Sequence, residues 1–215
     1  MMPKSITSRT KQPIESVTPH RRDANIIYIA TEGENTEKHY FELPIFMNNH
    51  RVKVIVLSTG EDGYSAPQHV IHRLHNDPNI KYVQPQPDDE YWLVIDKDRW
   101  TEQKISEVCS MARRGKHGKK TQVAISNPCF EMWLYLHHAE WTDGSIIPKI
   151  LKQRLHKLTK GRGLSQFDKE SVNEMIDAAI VRAKTNDPTN GLYWPDNPGT
   201  RVYQVVEAIR TRQKK

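Results

Sequence analysis

The sequence predicts an α/β fold with a mainly parallel sheet and a C-terminal helical extension. Short runs rich in β-branched residues alternate with amphipathic helical patterns as far as residue 126, and only helical patterns are evident after it. Alternation at this spacing is typical of parallel strands joined by right-handed crossovers. The length of 215 residues suits one domain, or one domain with a helical appendage.

Four segments have the composition of buried strands, since each is a short apolar run that is rich in β-branched or aromatic residues. They are IIYIAT at 26–31, VKVIVLS at 52–58, YWLVID at 91–96 and QVAIS at 122–126. Helical patterns lie between them. Residues 65–74 open with capping-box spacing from Ser65 to Gln68, and residues 101–112 have apolar positions at i, i+3, i+4 and i+7 from Ile105.

Three further helices are predicted after the fourth strand. Asn127 followed by Pro128 has the pattern of a helix cap with proline in the first turn. Ser171 and Glu174 have capping-box spacing. Apolar residues then recur at helical intervals from Val202.

Three regions are predicted along the chain. Residues 1–24 have no periodicity and little apolar content, which predicts a disordered basic tail. Residues 25–140 form the predicted α/β domain. Residues 141–215 form a predicted helical region that packs on the same domain.

The composition predicts a soluble protein, because only 36% of the residues are hydrophobic and 27% are charged. The formal net charge of +6 predicts a polyanionic partner. No apolar stretch approaches the ~20 residues that span a bilayer, so no membrane partner is expected. The N-terminus lacks the apolar centre of a signal peptide, which predicts a cytoplasmic location. Cys109 and Cys129 form no CxxC pair and are expected to be reduced in or near the core.

Carboxylates follow three of the predicted strands. Glu32 ends the first strand, with Glu37 in the helix beyond it; Asp96 and Asp98 end the third; and Glu131 lies just after the fourth. Because ligands bind at the carboxyl ends of strands in an open parallel sheet, we expect these side chains to share one rim. Aspartates two positions apart disfavour each other's ionisation unless a cation lies between them. The cluster therefore predicts a site for Mg²⁺, or for Mn²⁺.

Basic residues form two segments whose side chains are candidates for nucleic-acid binding, although such residues also simply solvate a surface. Contacts of cations with phosphates supply most of the non-specific affinity for nucleic acid. The candidates are Arg113, Arg114, Lys116, Lys119 and Lys120 in the first segment, and Lys149, Lys152, Arg154, Lys157, Lys160 and Arg162 in the second. Ser126 and Asn127 are candidates for phosphate contacts at the start of the following helix.

Several of these motifs carry a family resemblance. IIYIATEG at 26–33 and VIDKD at 94–98 resemble the TOPRIM domain of topoisomerases, bacterial primases and OLD-family nucleases. A more specific similarity is to RloB-like proteins, which are TOPRIM-containing products of bacterial restriction and phage-defence loci. Four motifs carry it, in this order along the chain: TEGENTEKHYF, VIDKD, AISNPCFEMWLYLHH and NPGTRVYQVVE. The resemblance covers roughly residues 25–210 and implies a TOPRIM-like (Rossmann-like) fold.

The resemblance implies a metal-dependent nuclease that hydrolyses phosphodiester bonds. Because a metal–phosphate site reads the backbone, the choice between DNA and RNA stays open, and a structured RNA such as tRNA is as plausible a target as duplex DNA. It places Glu32 at the TOPRIM glutamate, as a metal ligand or a general base, and Asp96 and Asp98 at the metal-binding aspartates. Glu37 matches a further metal-holding glutamate of related nucleases. Glu131 is either another ligand or a residue favoured by the helix macrodipole. The genomic setting of the family implies a role in antiphage defence, such as abortive infection.

Two other functions remain open. RloB-like genes tend to lie beside ATPase genes, so the chain is alternatively a non-catalytic or partner-activated nucleic-acid-binding subunit of an ATPase-containing defence complex. VIDKD followed by VAIS also imitates the first two motifs of haloacid-dehalogenase-type phosphatases. That fold requires a further strand with an acidic pair, and it leaves TEGENTE without a role.

Overall fold

The computed structural model describes residues 23–57, 66–77, 80, 86–115, 121–167, 171–187 and 193–214. The predicted tail lies almost entirely outside the described residues. Ser65 and the candidate cations Lys116, Lys119 and Lys120 also lie outside them.

The described strands form one five-stranded sheet. They are β1 (Asn25–Thr31), β2 (Val52–Leu57), β3 (Glu90–Asp96), β4 (Thr121–Asn127) and β5 (Gly199–Thr200). Their spatial order is β2-β1-β3-β4-β5, and the first four are mutually parallel. The predicted α/β class and mainly parallel sheet are confirmed.

Strand β5 corrects the prediction that no strand follows residue 126. It runs antiparallel to β4, with Thr200 opposite Ser126 and Gly199 opposite Asn127. Two residues are too few to produce an alternating pattern in the sequence. The strand therefore exists only because the tertiary fold brings residues 199–200 alongside the end of β4.

Helices connect the strands and make up the C-terminal region, as predicted. In the described segments they are α1 (Thr36–Phe41), α2 (Pro44–Met47), α3 (Pro67–Asn76), α4 (Glu102–Arg114), α5 (Glu131–Leu136), α6 (Pro148–Leu158), α7 (Val172–Thr185) and α8 (Val202–Lys214), with a 3₁₀ turn at Gly163–Gln166. None of the helices described is both long and apolar enough to cross a membrane.

The sheet is buried on both faces, which explains why its strands read as continuous apolar runs. Successive residues of β1 point to opposite sides. Ile26 and Tyr28 pack with the apolar faces of α3 and α4, whereas Ile27 and Ile29 belong to the cluster that contains the other helices. The C-terminal helices α7 and α8 thus share one buried core with the sheet.

One predicted helix start is wrong, and another is confirmed in position but lacks the predicted side-chain cap. Helix α5 begins at Glu131 rather than at Asn127, because Asn127 still belongs to β4 and its side-chain amide donates to the carbonyl of Pro195 (3.0 Å). Ser171 lies at the N-cap of α7, but its hydroxyl donates to Sδ of Met175 (3.8 Å) instead of capping the helix.

Candidate functional site

All five predicted carboxylates line one cavity of about 240 Å³ at the carboxyl ends of the parallel strands. Strands β1 and β3 are direct neighbours, with Thr31 opposite Val94, so their ends emerge side by side. Strand β4 lies next to β3, with Ser126 opposite Asp96. The parallel register therefore places residues from three separate connections on the same rim.

Glu32 lies at the base of this cavity and is 7% exposed. Its carboxylate accepts hydrogen bonds from the backbone N–H of Asp96 (3.1 Å) and from the indole Nε1 of Trp100 (2.9 Å). Burial raises the pKa of Glu32 to about 7, although these two donors act in the opposite direction. A carboxyl group with this pKa exchanges its proton near neutral pH.

The Asp96–Asp98 segment is held by its own backbone. The N–H of Lys97 donates to the carbonyl of Ser126 (2.9 Å), and the N–H of Asp98 donates to the carbonyl of Pro128 (3.1 Å). Desolvation raises the pKa of Asp96 well above its usual range, and the neighbouring carboxylates, first among them Glu37, raise it further. Partial desolvation also raises the pKa of Asp98. Burial is thus the main cause of both shifts, and repulsion between the carboxylates adds to it at Asp96.

Glu37 projects back from α1 over Gly33, and its carboxylate is almost completely buried. A Cβ atom at Gly33 would lie 2.1 Å from Glu37 Oε2, so only glycine leaves room for this side chain. Burial raises the pKa of Glu37, while hydrogen bonds from the backbone of Glu37 and Gly33 oppose the rise. The steric role of Gly33 in seating Glu37 was not predicted from the sequence.

Glu131 enters the cavity from the first turn of α5 and pairs with Lys152 of α6 (Oε1–Nζ, 3.2 Å). Burial is the largest single influence on Lys152 and lowers its pKa, but attraction and a hydrogen bond to Glu131, together with Cys129 and Asp96, make the net change upward. This ion pair brings one of the predicted nucleic-acid-binding cations directly to the rim of the acidic cavity.

The donor set suits a hard divalent cation, because it consists of carboxylate oxygens whose repulsion a cation would relieve. Within the described residues, however, no three His, Cys, Asp or Glu side chains form a group that holds a metal ion as they stand. Two of the carboxylates are engaged within the protein: Glu32 accepts a hydrogen bond from Trp100, and Glu131 pairs with Lys152.

The other predicted cations within the described residues lie on two different helices or directly after one of them. Those of the second basic segment are all solvent-exposed on α6 or in the turn after it. Arg154 is partly neutralised, since it pairs with Asp143 and lies over the ring of Trp141 (5.0 Å). Arg113 and Arg114 lie in the last turn of α4, which starts at the rim and runs back towards the start of β4.

The side chains of Ser126 and Asn127, which were predicted to contact phosphate, both make contacts within the protein. Ser126 is completely buried, and its hydroxyl shares a hydrogen bond with Thr200 (2.9 Å). The Asn127 side chain bonds the carbonyl of Pro195. Both side chains thus join β4 to the segment around β5, and in this structure neither is available to a phosphate.

Aromatic contacts of the DKDRW segment were missed by the sequence analysis. Trp100 binds Glu32, and Lys97 lies over the ring of Trp194 (5.2 Å), which stacks on Tyr193. Arg113 lies over the other ring of this stack (4.5 Å). The tryptophan in DKDRW, two residues after Asp98, was the available signal for Trp100; Trp194 has no comparable local signal.

Comparisons with known proteins assign a family but supply no relatives with an established activity. A search among curated proteins finds no match, and a search among solved structures finds none either. The family model described as RloB-like protein matches residues 27–209, which is most of the chain and includes all five carboxylates. The chain therefore belongs to the RloB-like family.

Proposed function

We propose that this protein is a Mg²⁺- or Mn²⁺-dependent nuclease that hydrolyses phosphodiester bonds in DNA or RNA. The observation that carries the proposal is the shared cavity of the five carboxylates, in which burial and mutual repulsion raise the pKa of Glu32, Glu37, Asp96 and Asp98. A divalent cation relieves such repulsion and commonly joins carboxylates to phosphate in proteins.

The residues are assigned separate roles. When bound, the cation supplies activation of water and neutralisation of charge on the phosphate oxygens. Asp96, Asp98 and Glu37 are the side chains that would hold it. Glu32, whose carboxylate lines the same cavity, is assigned the role of accepting a proton from the attacking water.

Lys152 is assigned a contact with the substrate phosphate. The Lys152 ammonium group lies 3.2 Å from the Glu131 carboxylate. A phosphate at the rim would compete with Glu131 for this group, since both are anions that accept hydrogen bonds from it. Transfer of Lys152 to the phosphate frees Glu131 to face the cation. The exposed cations along α6 would add non-specific, salt-sensitive affinity for the strand. We place this activity in the cytoplasm and, as the family suggests, in antiphage defence.

The test is cleavage of plasmid DNA, single-stranded DNA and total tRNA by the purified protein in Mg²⁺, Mn²⁺ or EDTA. Asp96→Asn/Asp98→Asn is the inactive variant, and Glu107→Gln/Glu174→Gln is the matched control, since it neutralises two exposed carboxylates outside the cavity. We expect metal-dependent cleavage by the wild type and the control only. Equal cleavage by the Asp96/Asp98 variant would contradict the proposal.

A second candidate is a subunit whose nuclease site is switched on by a partner, such as an ATPase. The observation that favours it is that the carboxylates of Glu32 and Glu131 are engaged by Trp100 and Lys152 rather than turned towards a common point. In that case the isolated chain binds nucleic acid but does not cleave it. Cleavage then appears only when the partner is added, and it is still abolished by Asp96→Asn/Asp98→Asn.

A further inference from the structure

A second cavity of about 500 Å³ opens beside the acidic one. Asn35, Thr36, Glu131 and Lys152 line both cavities, so they are neighbouring compartments of one depression. A strand whose phosphate lies among the carboxylates therefore has an adjacent nucleoside within reach of the second compartment.

The second compartment differs in chemistry from the acidic one. Leu134, Leu155 and Leu164 contribute apolar walls, and the rings of His39 and His156 also line it. A nucleobase matches this lining, because it has flat faces that stack on apolar or aromatic groups, histidine included, and a polar edge. A volume of this size is ordinary for a small-molecule pocket.

The outer wall is formed by a turn that closely follows α6. Gly161 and Gly163 have positive φ angles of 75° and 54°, which favour glycine, and these let the chain reverse after the helix. A Cβ atom on Gly161 would lie 3.1 Å from Nε2 of His156, so the turn packs closely against this ring. The backbone at Gly161 therefore lies beside the His156 ring where both line the cavity.

Charge favours a polyanionic strand at this entrance. Lys152 stands at the boundary between the compartments, and Lys149, Lys157 and Lys160 are exposed on the same helix or directly after it. These cations suit the phosphates on either side of a bound nucleoside.

We propose that the second cavity binds one unstacked nucleobase of the strand whose phosphate occupies the acidic cavity, so that the substrate is single-stranded or carries an extruded base. The inference rests on the proposed function for the position of the phosphate. A base inside an intact duplex is stacked on its neighbours and cannot enter a pocket without being extruded.

The test measures binding, so that it is independent of cleavage. Fluorescence anisotropy in Ca²⁺ compares labelled 12-nucleotide single strands of DNA and RNA with duplexes of the same sequences. Leu155→Trp fills the cavity, and Leu158→Trp is its matched control, because Leu158 is exposed on the same helix and does not line the cavity. His156→Ala, with the exposed His50→Ala as its control, provides a second pair that does not add bulk.

We expect wild-type protein to bind at least one of the single strands about tenfold more tightly than its duplex, and we expect Leu155→Trp and His156→Ala to lose about tenfold of that affinity. The control variants should stay within about twofold. The inference is overturned if single strands and duplexes bind equally, if neither strand binds, or if both folded cavity variants match their controls. Failure of the nuclease proposal looks different: this binding pattern persists, but no strand is cleaved in Mg²⁺ or Mn²⁺.

Discussion

The indole Nε1 of Trp100 donates a 2.9 Å hydrogen bond to Oε1 of Glu32, across 68 positions of the sequence. The same carboxylate accepts from the N–H of Asp96, so Glu32 is held between the two ends of the DKDRW segment. The charge state of Glu32, after the first strand, is therefore linked to Trp100, which lies two residues beyond the acidic pair that follows the third strand.

Replacing Trp100 by phenylalanine keeps an aromatic ring but removes the donor to Glu32. Loss of a hydrogen bond to the charged form raises the pKa of Glu32 above its present value of about 7. If Glu32 accepts the proton during cleavage, the rising limb of the pH–rate profile should move to higher pH. Rates between pH 6 and 9 in Mn²⁺ check this.

The matched control is Trp92→Phe, because the Trp92 indole also donates to a glutamate, Glu90 (3.1 Å), at the start of β3. Its profile should coincide with that of the wild type. Coincident profiles for all three proteins would show that Trp100 does not tune the reaction.

The raised pKa of Glu32 predicts a pH-dependent stability of the metal-free protein. The folded pKa, about 7, lies above the reference value of 4.5. The stabilisation from this group is therefore fully present below about pH 4.5 and is lost as the pH rises through 7. The shift corresponds to roughly 3 kcal/mol of unfolding free energy.

Urea unfolding in EDTA at pH 4.5, 6, 7 and 8 measures this effect as the difference between the wild type and Glu32→Gln. The variant should be relatively more stable at pH 8 than at pH 4.5. Glu107→Gln, an exposed control on α4, should follow the wild type. A constant difference between wild type and Glu32→Gln across this range would refute the prediction.

Alanine at Gly33 should displace Glu37, because the new Cβ atom would lie 2.1 Å from its carboxylate. If Glu37 holds the cation, we expect metal-dependent cleavage to fall by about 10- to 100-fold, as is typical when a catalytic group is misplaced by about 1 Å. Single-turnover rates over a Mn²⁺ titration measure the loss. Gly144→Ala meets no atom within 4 Å and should leave the rate unchanged.

Arg201 is predicted to be important for stability rather than for chemistry. Its guanidinium makes two hydrogen bonds to the buried carboxylate of Asp187 (2.7 and 3.1 Å), and its backbone N–H donates to the carbonyl of Ile125 in β4 (2.9 Å). Arg201→Ala should therefore cost about 3–5 kcal/mol in urea unfolding. Arg154→Ala, which breaks the exposed pair with Asp143, should cost less than about 1 kcal/mol.

The sequence alone determined the fold class, the first four strands and the five carboxylates that share the rim. Strands buried on both faces must be apolar throughout, so they stand out as runs such as YWLVID. A residue at the carboxyl end of a parallel strand lies on the same edge as the ends of its neighbours. Local order along the chain was therefore sufficient to predict that Glu32, Asp96 and Glu131 approach one another.

Only the tertiary structure decided what surrounds these carboxylates. The contact of Trp100 with Glu32, the ion pair of Lys152 with Glu131, and the pairing of β5 with β4 join residues far apart in the sequence. Their formation depends on how helices pack on the sheet, which leaves no periodic signal in the sequence. The burial of Ser126 against Thr200 could not be predicted for the same reason. The strand that covers Ser126, β5, is only two residues long and leaves no pattern in the sequence.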